Sequence, residues 1–328
     1  TLSVTVDFTL TAWTATSATF AVHIANDSYG PGKNTLTSIG IDIVSPSITK
    51  ATATGDWKGT KLNKTLPGFQ NVDLCLYAGN NCSGGGNATM IFDETTDVDI
   101  AAMNTRTSKT SDFGSGCSAD GNIVIHESIW EDALKEMVAV GGYMMSPSEQ
   151  EAMRKVMWDD ECHRLPDTVA LSPQDMAKAA GFEIPEDRKF LIASHGTGVF
   201  KPTLEGIWCH EKLTTLLAVH KYCGEFQNAI DTIMAIHDVG GIGHSVGIFS
   251  FDEDHIHRLA LVARVGRIMV RQPQSKANSG SMNNGMPMTS SIGCGTWAGN
   301  ATSENIHLHH YMNVTWVSRE FDKPDPMI

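Results

Sequence analysis

Glutamate and arginine are missing from the first part of this 328-residue sequence. No glutamate occurs before Glu94 and no arginine before Arg106, whereas Thr, Ser, Ala, Asn and Gly dominate there. Up to Gly84, five aspartates balance five lysines, so the formal net charge of -13 lies entirely in the remainder. So abrupt a change in composition predicts two domains, residues 1–84 and 85–328.

Long apolar runs are also missing. No stretch approaches the roughly 20 apolar residues that cross a bilayer, and the first residues lack the basic-then-apolar order of a signal peptide. The negative net charge disfavours nucleic acids and anionic membranes as partners, because both would be repelled. We therefore expect a cytoplasmic protein that acts on small molecules, with no nucleic-acid or membrane partner.

Cysteine is too sparse for a disulfide scaffold, with seven in the chain. Cys75 and Cys82 enclose a short loop rich in Gly and Asn, where a local disulfide and two free thiols are both open alternatives. The other five have no metal-ligand spacing and indicate a reducing compartment. These five are Cys117, Cys162, Cys209, Cys223 and Cys294.

Residues 1–84 alternate between apolar and polar side chains, with turn residues between the alternating runs. This period of two predicts strands and, with short turns, a small antiparallel β-sandwich-like domain. The predicted strands are residues 2–10, 18–24, 39–44 and 72–77.

From residue 85 on, helical and strand patterns alternate, which predicts an α/β domain with an open, mostly parallel sheet. Three helices are predicted from their first residues: Ser128 and Ser146 each precede a glutamate by three positions, and Ser172 precedes a proline. Short apolar runs flanked by breakers predict buried strands. These runs are residues 122–126, 189–193, 215–220, 245–250 and 267–270.

Cys117 lies in a turn with glycine at positions 114 and 116, directly before one of these strands. Glycines let the backbone turn sharply, so that the thiol can be exposed beside backbone N–H groups that lower its pKa and hold a developing oxyanion. Cys117 is therefore a candidate nucleophile, and the alternative is a small structural residue.

Two histidine groups have spacings that could bind a metal on a strand. They are His255-x-His257 and His307-x-His309-His310. Because no further ligand group is visible in the sequence, we expect exposed surface histidines and no metal site.

Several segments, in the same order along the chain, resemble the catalytic portion of the aldehyde dehydrogenase superfamily. The resemblance runs from about Gly85 to Arg319 and is strongest to the CoA-acylating branch, which includes sulfoacetaldehyde dehydrogenases. The matching segments are residues 90–94, 107–117, 210–219, 240–245 and 293–305.

The resemblance implies an oxidoreductase in which the Cys117 thiolate attacks a small aldehyde. The hydride then passes to NAD or NADP, and coenzyme A takes the acyl group from the thioester. It also implies that Glu211 contacts the nicotinamide ribose and that His244 lies near the active site, with a role in the thioester steps. For His244 the alternative is a histidine that only packs and hydrogen-bonds. An anionic aldehyde could suit Arg267 and Arg271, although we expect both on a strand with solvent or carboxylate partners.

The βαβ cofactor domain that precedes the nucleophile in this superfamily is not recognisable, and neither is its oxyanion-hole asparagine. Without the strands of that domain we expect exposed apolar surface and a homo-oligomer. Two alternatives to the enzyme follow: a catalytically silent oligomerisation or interaction module, and a secreted or surface β-sandwich protein.

Overall fold

A computed structural model describes residues 87–160, 162–195 and 204–319, together with five strands that precede them. Strand β1 pairs antiparallel with β2, and β5 pairs antiparallel with both β3 and β4. Strand β4 was not predicted from the sequence. The predicted packing of these strands into a sandwich, and the alternatives for Cys75 and Cys82, lie outside the described residues. The strands are β1 (Val4–Trp13), β2 (Ala18–Asn26), β3 (Ser38–Ile41), β4 (Gly59–Thr65) and β5 (Asn71–Tyr77).

A seven-stranded sheet, parallel throughout, is the centre of the rest of the chain, with strand order β12-β11-β6-β7-β10-β9-β8. The predicted α/β class is confirmed. All five strands predicted from apolar runs are present, while the three-residue edge strand β8 was missed. The strands are β6 (Thr89–Phe92), β7 (Asn122–His126), β8 (Gly142–Met144), β9 (Phe190–His195), β10 (Leu216–Tyr222), β11 (Val246–Phe249) and β12 (Ile268–Val270).

Helices cover both faces of this sheet, which is why its central strands are continuous apolar runs. In β6, Phe92 packs with α1 and α2 on one face, whereas Ile91 packs with α5 and α6 on the other. The helices are α1 (Val98–Thr110), α2 (Trp130–Ala139), α3 (Pro147–Met157), α4 (Pro173–Ala179), α5 (Phe226–Gly240), α6 (Glu253–Val262) and α7 (Gln274–Ala277).

Two of the three predicted helix starts are confirmed. Ser146 caps α3 in a reciprocal box with Glu149, and Ser172 caps α4. The predicted cap at Ser128 is wrong, because Ser128 lies in a 3-10 turn, where it bonds the ring of His126, and α2 begins two residues later.

The parallel strands give the sheet two chemically different edges. We call the residues that immediately precede the strands the amino edge, and those that immediately follow them the carboxyl edge. Thr89, Asn122 and Val246 are register partners at the starts of β6, β7 and β11, so the segments before these strands lie side by side.

The chain divides into two compact units, residues 1–85 with 298–301, and residues 86–297 with 302–328. The assignment of residues 1–84 to a β-sandwich-like domain stays a prediction. Within the described part of the chain, no helix is long and apolar enough to cross a membrane.

Candidate active site

A strained turn positions Cys117 at the amino edge. After α1, Asp112, Phe113 and Gly114 all have positive φ, at 48°, 51° and 69°. Non-glycine residues avoid this region, so the turn stores strain of the kind found at functional sites. At Gly114 a side chain would also collide with the Thr214 carbonyl. The turn thus fixes the thiol five residues before β7.

His244 reaches the same point from the amino edge of β11. Its Nε2 lies 3.1 Å from Cys117 Sγ, across 127 positions of sequence, and the imidazole is buried. Its Nδ1 lies 2.8 Å from Ser245 Oγ, which also accepts a hydrogen bond of 3.2 Å from Asn278 Nδ2. The imidazole is therefore held between a hydrogen-bonded serine and the thiol.

Burial keeps both members of this pair uncharged. It lowers the pKa of His244 to about 4, with a smaller contribution from the Arg267 guanidinium. Burial also raises the pKa of the Cys117 thiol, and the Glu211 carboxylate raises it further. Near neutral pH the pair is therefore a thiol and a neutral imidazole, not a preformed ion pair.

Backbone N–H groups face the sulfur of Cys117. Those of Cys117 and Ser118 act against burial and lower the pKa of the thiol. N–H groups in this position can stabilise negative charge that develops on the sulfur or on an attacked carbonyl.

Arg267 is buried directly before β12, and no carboxylate among the described residues pairs with it. Its Nε donates to Asn305 Oδ1 at 2.8 Å, and its Nη1 donates to the Gly293 carbonyl at 2.9 Å. Its Nη2 has no hydrogen-bond partner among the described residues. The expected solvent or carboxylate partner is therefore wrong for Arg267 but right for Arg271, which pairs with Asp97 through bonds of 2.7 and 2.8 Å. Neither arginine lies on a strand, contrary to that expectation, because they flank β12.

A cavity of about 240 Å³ adjoins Arg267. It is lined by Gly266, Arg267, Met286, Pro287, Ser303, Glu304 and Asn305. The guanidinium can thus meet a ligand in this cavity.

Glu211 lies between a 3-10 turn and β10, also at the amino edge. Burial raises the pKa of its carboxyl to about 7, although Arg164, Lys109 and Lys212 act in the opposite direction. Within the described residues no hydrogen bond joins Glu211 to Cys117 or His244. The structure therefore brings Cys117 and His244 into contact and places Glu211 within electrostatic reach of the thiol.

Sequence reasoning missed the residues that support His244. Ser245 ends the matching segment 240–245, but nothing in that segment indicated its hydrogen bond to His244. Asn278 belongs to no recognisable motif and is 33 positions beyond Ser245, so its contact with Ser245 depends on how the end of α7 packs.

A second polar cluster lies at the carboxyl edge, around the buried carboxylate of Asp93. It accepts hydrogen bonds from Ser250 Oγ at 2.5 Å, Tyr222 OH at 2.9 Å and His255 Nδ1 at 2.9 Å. Burial raises the pKa of Asp93, but these hydrogen bonds together lower it by more, so the net shift is downward. His255 was expected on a strand at the surface; instead it lies on α6 and is bonded to Asp93.

Comparison with known proteins gives clear relatives, although no family model matches the chain. A sulfoacetaldehyde dehydrogenase from Acholeplasma sp is 34% identical over 247 residues, which make up 74% of this chain and 50% of the relative. An acylating sulfoacetaldehyde dehydrogenase from Bilophila wadsworthia is 34% identical over 239 residues, 72% of this chain and 50% of that protein.

Among solved structures, an acetylating aldehyde dehydrogenase from Geobacillus thermoglucosidasius superposes with a TM-score of 0.66 at 29% identity. The superposition covers 74% of this chain and 52% of that one. The chain thus spans about half the length of the curated relatives it matches.

Proposed function

Over about three quarters of its length the chain belongs to the CoA-acylating aldehyde dehydrogenases, and on this basis we propose that it oxidises a small aldehyde to an acyl-CoA. Cys117 forms the thioester, and NAD or NADP accepts the hydride. The contact of 3.1 Å between His244 Nε2 and Cys117 Sγ carries this proposal. The relatives give no support to an interaction module or a secreted β-sandwich protein.

In the first step, Cys117 Sγ bonds to the aldehyde carbon while the thiol proton passes to His244 Nε2. This requires the tautomer in which Nδ1 carries the hydrogen and donates it to Ser245 Oγ. Because the pKa of the thiol is raised and that of the imidazole lowered, transfer is unfavourable until a substrate is attacked. The N–H groups of Cys117 and Ser118 stabilise the developing charge.

The nicotinamide cofactor, when bound, accepts the hydride that converts the hemithioacetal to a thioester. Glu211 fits the role of a ribose contact, since its half-buried carboxylate accepts no hydrogen bond from the described residues and is free for a hydroxyl group. The rise of its pKa to about 7 means that such a bond strengthens as the pH increases.

Coenzyme A then takes the acyl group from Cys117. Its sulfur bonds to the acyl carbon and the bond to Cys117 Sγ breaks. His244 Nε2, which has by then released the first proton to solvent, takes the proton of the incoming thiol and returns it to Cys117 Sγ. Two relatives are named for sulfoacetaldehyde, which is therefore the first aldehyde to test.

We place the protein in the cytoplasm as a homo-oligomer. Cys117, Cys209 and Cys223 form no disulfide, which suits a reducing compartment. Large apolar side chains are exposed near the end of the described chain, including Trp316 at 91% and Val317 at 79%, which favours association. Light scattering on the purified chain measures the oligomeric state, and a monomer would contradict this part of the proposal.

Titration of the chain with NAD and NADP, followed by acyl transfer from a thioester in wild type and Cys117→Ala, tests the function. We expect cofactor binding, and an acyl-enzyme in wild type alone. Acyl transfer without cofactor binding would overturn the dehydrogenase while keeping the nucleophile. An equal acyl-enzyme in the variant would overturn both.

A further inference from the structure

We propose that His307, His309, His310 and Glu304 form a binding site for one Zn²⁺ ion, separate from Cys117 and its partners. Each histidine offers a ring nitrogen, and the three nitrogens lie within 4.8 Å of one another. The proposal does not rest on the enzymatic function.

The distances within the cluster are close to those between ligands around one tetrahedral ion. His309 Nε2 and His310 Nε2 each lie 3.3 Å from Glu304 Oε2. His307 Nδ1 lies 3.2 Å from His309 Nδ1, the nitrogen of that ring that does not face Glu304. With bonds of about 2.0 to 2.1 Å, the ligands of tetrahedral zinc are about 3.3 Å apart. An imidazole binds one ion through one nitrogen, so a turn of the His309 ring, with small movements of the other side chains, brings one atom of each residue onto one ion.

A 3-10 turn gathers the three histidines. The sequence alone treated them as alternating residues of a strand, which would separate His310 from the other two. In the turn Leu308–Tyr311, all three rings lie together, with centroids between 3.8 and 5.3 Å apart. Glu304, three positions before His307, supplies the fourth donor.

The backbone also provides a hydrogen-bond partner for Nδ1 of His310, the ring nitrogen that would not bind the ion. This Nδ1 accepts a hydrogen bond of 3.2 Å from His307 N and lies 3.3 Å from the His307 carbonyl oxygen, which becomes the acceptor of an Nδ1 hydrogen when Nε2 binds a metal. Histidine ligands commonly have a partner of this kind, because it fixes the tautomer and the orientation of the ring.

The segment that carries the cluster is anchored to the sheet domain. Asn305, between Glu304 and the histidines, is buried and bonded to Arg267, Asn278 and Pro287. Ile306 N donates to the Ser291 carbonyl at 3.2 Å. The donors on either side of this anchor are therefore held near their binding positions before an ion arrives.

The chemistry of the donors selects the class of ion. Three imidazoles and one carboxylate suit Zn²⁺, and neighbouring transition metals, better than Mg²⁺ or Ca²⁺, which prefer oxygen. His309 and Glu304 are about half and two-thirds exposed, so an ion can enter from solvent.

Zinc titration of the chelator-treated full chain, against a competing fluorescent chelator, tests the site. We expect wild type to bind one Zn²⁺. The double variant His309→Ala, His310→Ala should bind it at least about tenfold more weakly. His257→Ala, which removes an exposed histidine on α6, should bind as wild type does.

Co²⁺ as the probe distinguishes this site from one that contains cysteine. We expect the visible bands of tetrahedral cobalt without a thiolate charge-transfer band, and their loss in the double variant. The four side chains are at the surface, and thermal unfolding checks that the variant is folded. Equal zinc affinity of wild type and a folded double variant, or a thiolate band for the bound ion, would overturn the proposal.

Discussion

Two polar clusters lie at opposite edges of one sheet, and they differ in how many of their polar atoms have hydrogen-bond partners. At the carboxyl edge, Asp93 accepts three hydrogen bonds, and both ring nitrogens of the neighbouring His126 have partners. At the amino edge, Arg267 Nη2 and Asn278 Oδ1 are buried without a partner among the described residues. The polar groups of the first cluster bond one another beside a cavity of about 250 Å³, whereas the second contains two buried polar atoms without such a partner.

The comparison separates a structural role from a chemical one. Ligands of open α/β sheets usually bind beyond the carboxyl ends of the strands. Here Asp93 lies at that edge and links the ends of β6, β10 and β11 to α6. The strained turn, the Cys117 thiol and the buried imidazole of His244 lie at the opposite, amino edge. The contact between Cys117 Sγ and His244 Nε2, and not the general rule, therefore locates the candidate active site.

Replacement of Cys117 should have the largest effect. In Cys117→Ala, we expect acyl-enzyme formation to fall by about 10⁴-fold or more, because the atom that forms the thioester is absent. A stopped assay with an activated ester, followed by intact mass, measures the acyl-enzyme. Cys223→Ala, which removes a half-buried thiol next to the carboxyl edge, should keep the wild-type rate. If acyl-enzyme formation were lost in Cys223→Ala and kept in Cys117→Ala, the carboxyl edge and not the amino edge would be the active site.

Replacement of His244 should reduce the rate less. We expect His244→Ala to slow acylation by roughly 10²- to 10³-fold, since general-base help is lost while the thiol remains. The rate of acylation under single-turnover conditions measures this, and His257→Ala on α6 is the matched histidine control. A change below about threefold in His244→Ala would mean that the contact with Cys117 Sγ has no chemical role.

Replacement of Asp93 should affect stability and leave the chemistry unchanged. Asp93→Ala removes the acceptor of three buried hydrogen bonds, and we expect the free energy of unfolding to fall by about 3 kcal/mol. Urea denaturation measures the loss, with the exposed Asp254→Ala on α6 as the control. If folded Asp93→Ala lost the acylation rate, the carboxyl edge would belong to the active site.

The dependence of thiol reactivity on pH should show the smallest change. Because the pKa of His244 is about 4, its imidazole stays neutral from pH 5 to 8, and alkylation of Cys117 by iodoacetamide should show no inflection near 6.5. The pKa of the thiol is raised, so the rate should increase only above about pH 8.5. A plateau that begins below pH 7 would indicate an ion pair of thiolate and imidazolium.

Much of the fold was predictable because local signals carried it. The cap at Ser146 and the buried strands before and after it depend on neighbouring residues, and they are confirmed. The cap at Ser128 failed because the ring of His126 takes its backbone N–H. The strand β8 was too short to stand out as an apolar run.

The candidate site was predictable only in part. Glycines near Cys117 indicated a turn, and the resemblance gave His244 and Glu211. The support of His244 by Ser245 and Asn278 and the burial of Arg267 depend on packing between distant segments. The arrangement of the histidine cluster was not predictable for a similar reason, because a 3-10 turn holds the three rings together.

Peptide mapping after acylation by p-nitrophenyl acetate tests the central claim most directly. The chain should carry one acyl group, on the peptide that contains Cys117, and a thiol such as coenzyme A should remove it. Acylation spread over Cys162 and Cys223, or absent from Cys117 while the chain is folded, would contradict the assignment of the amino edge as the active site.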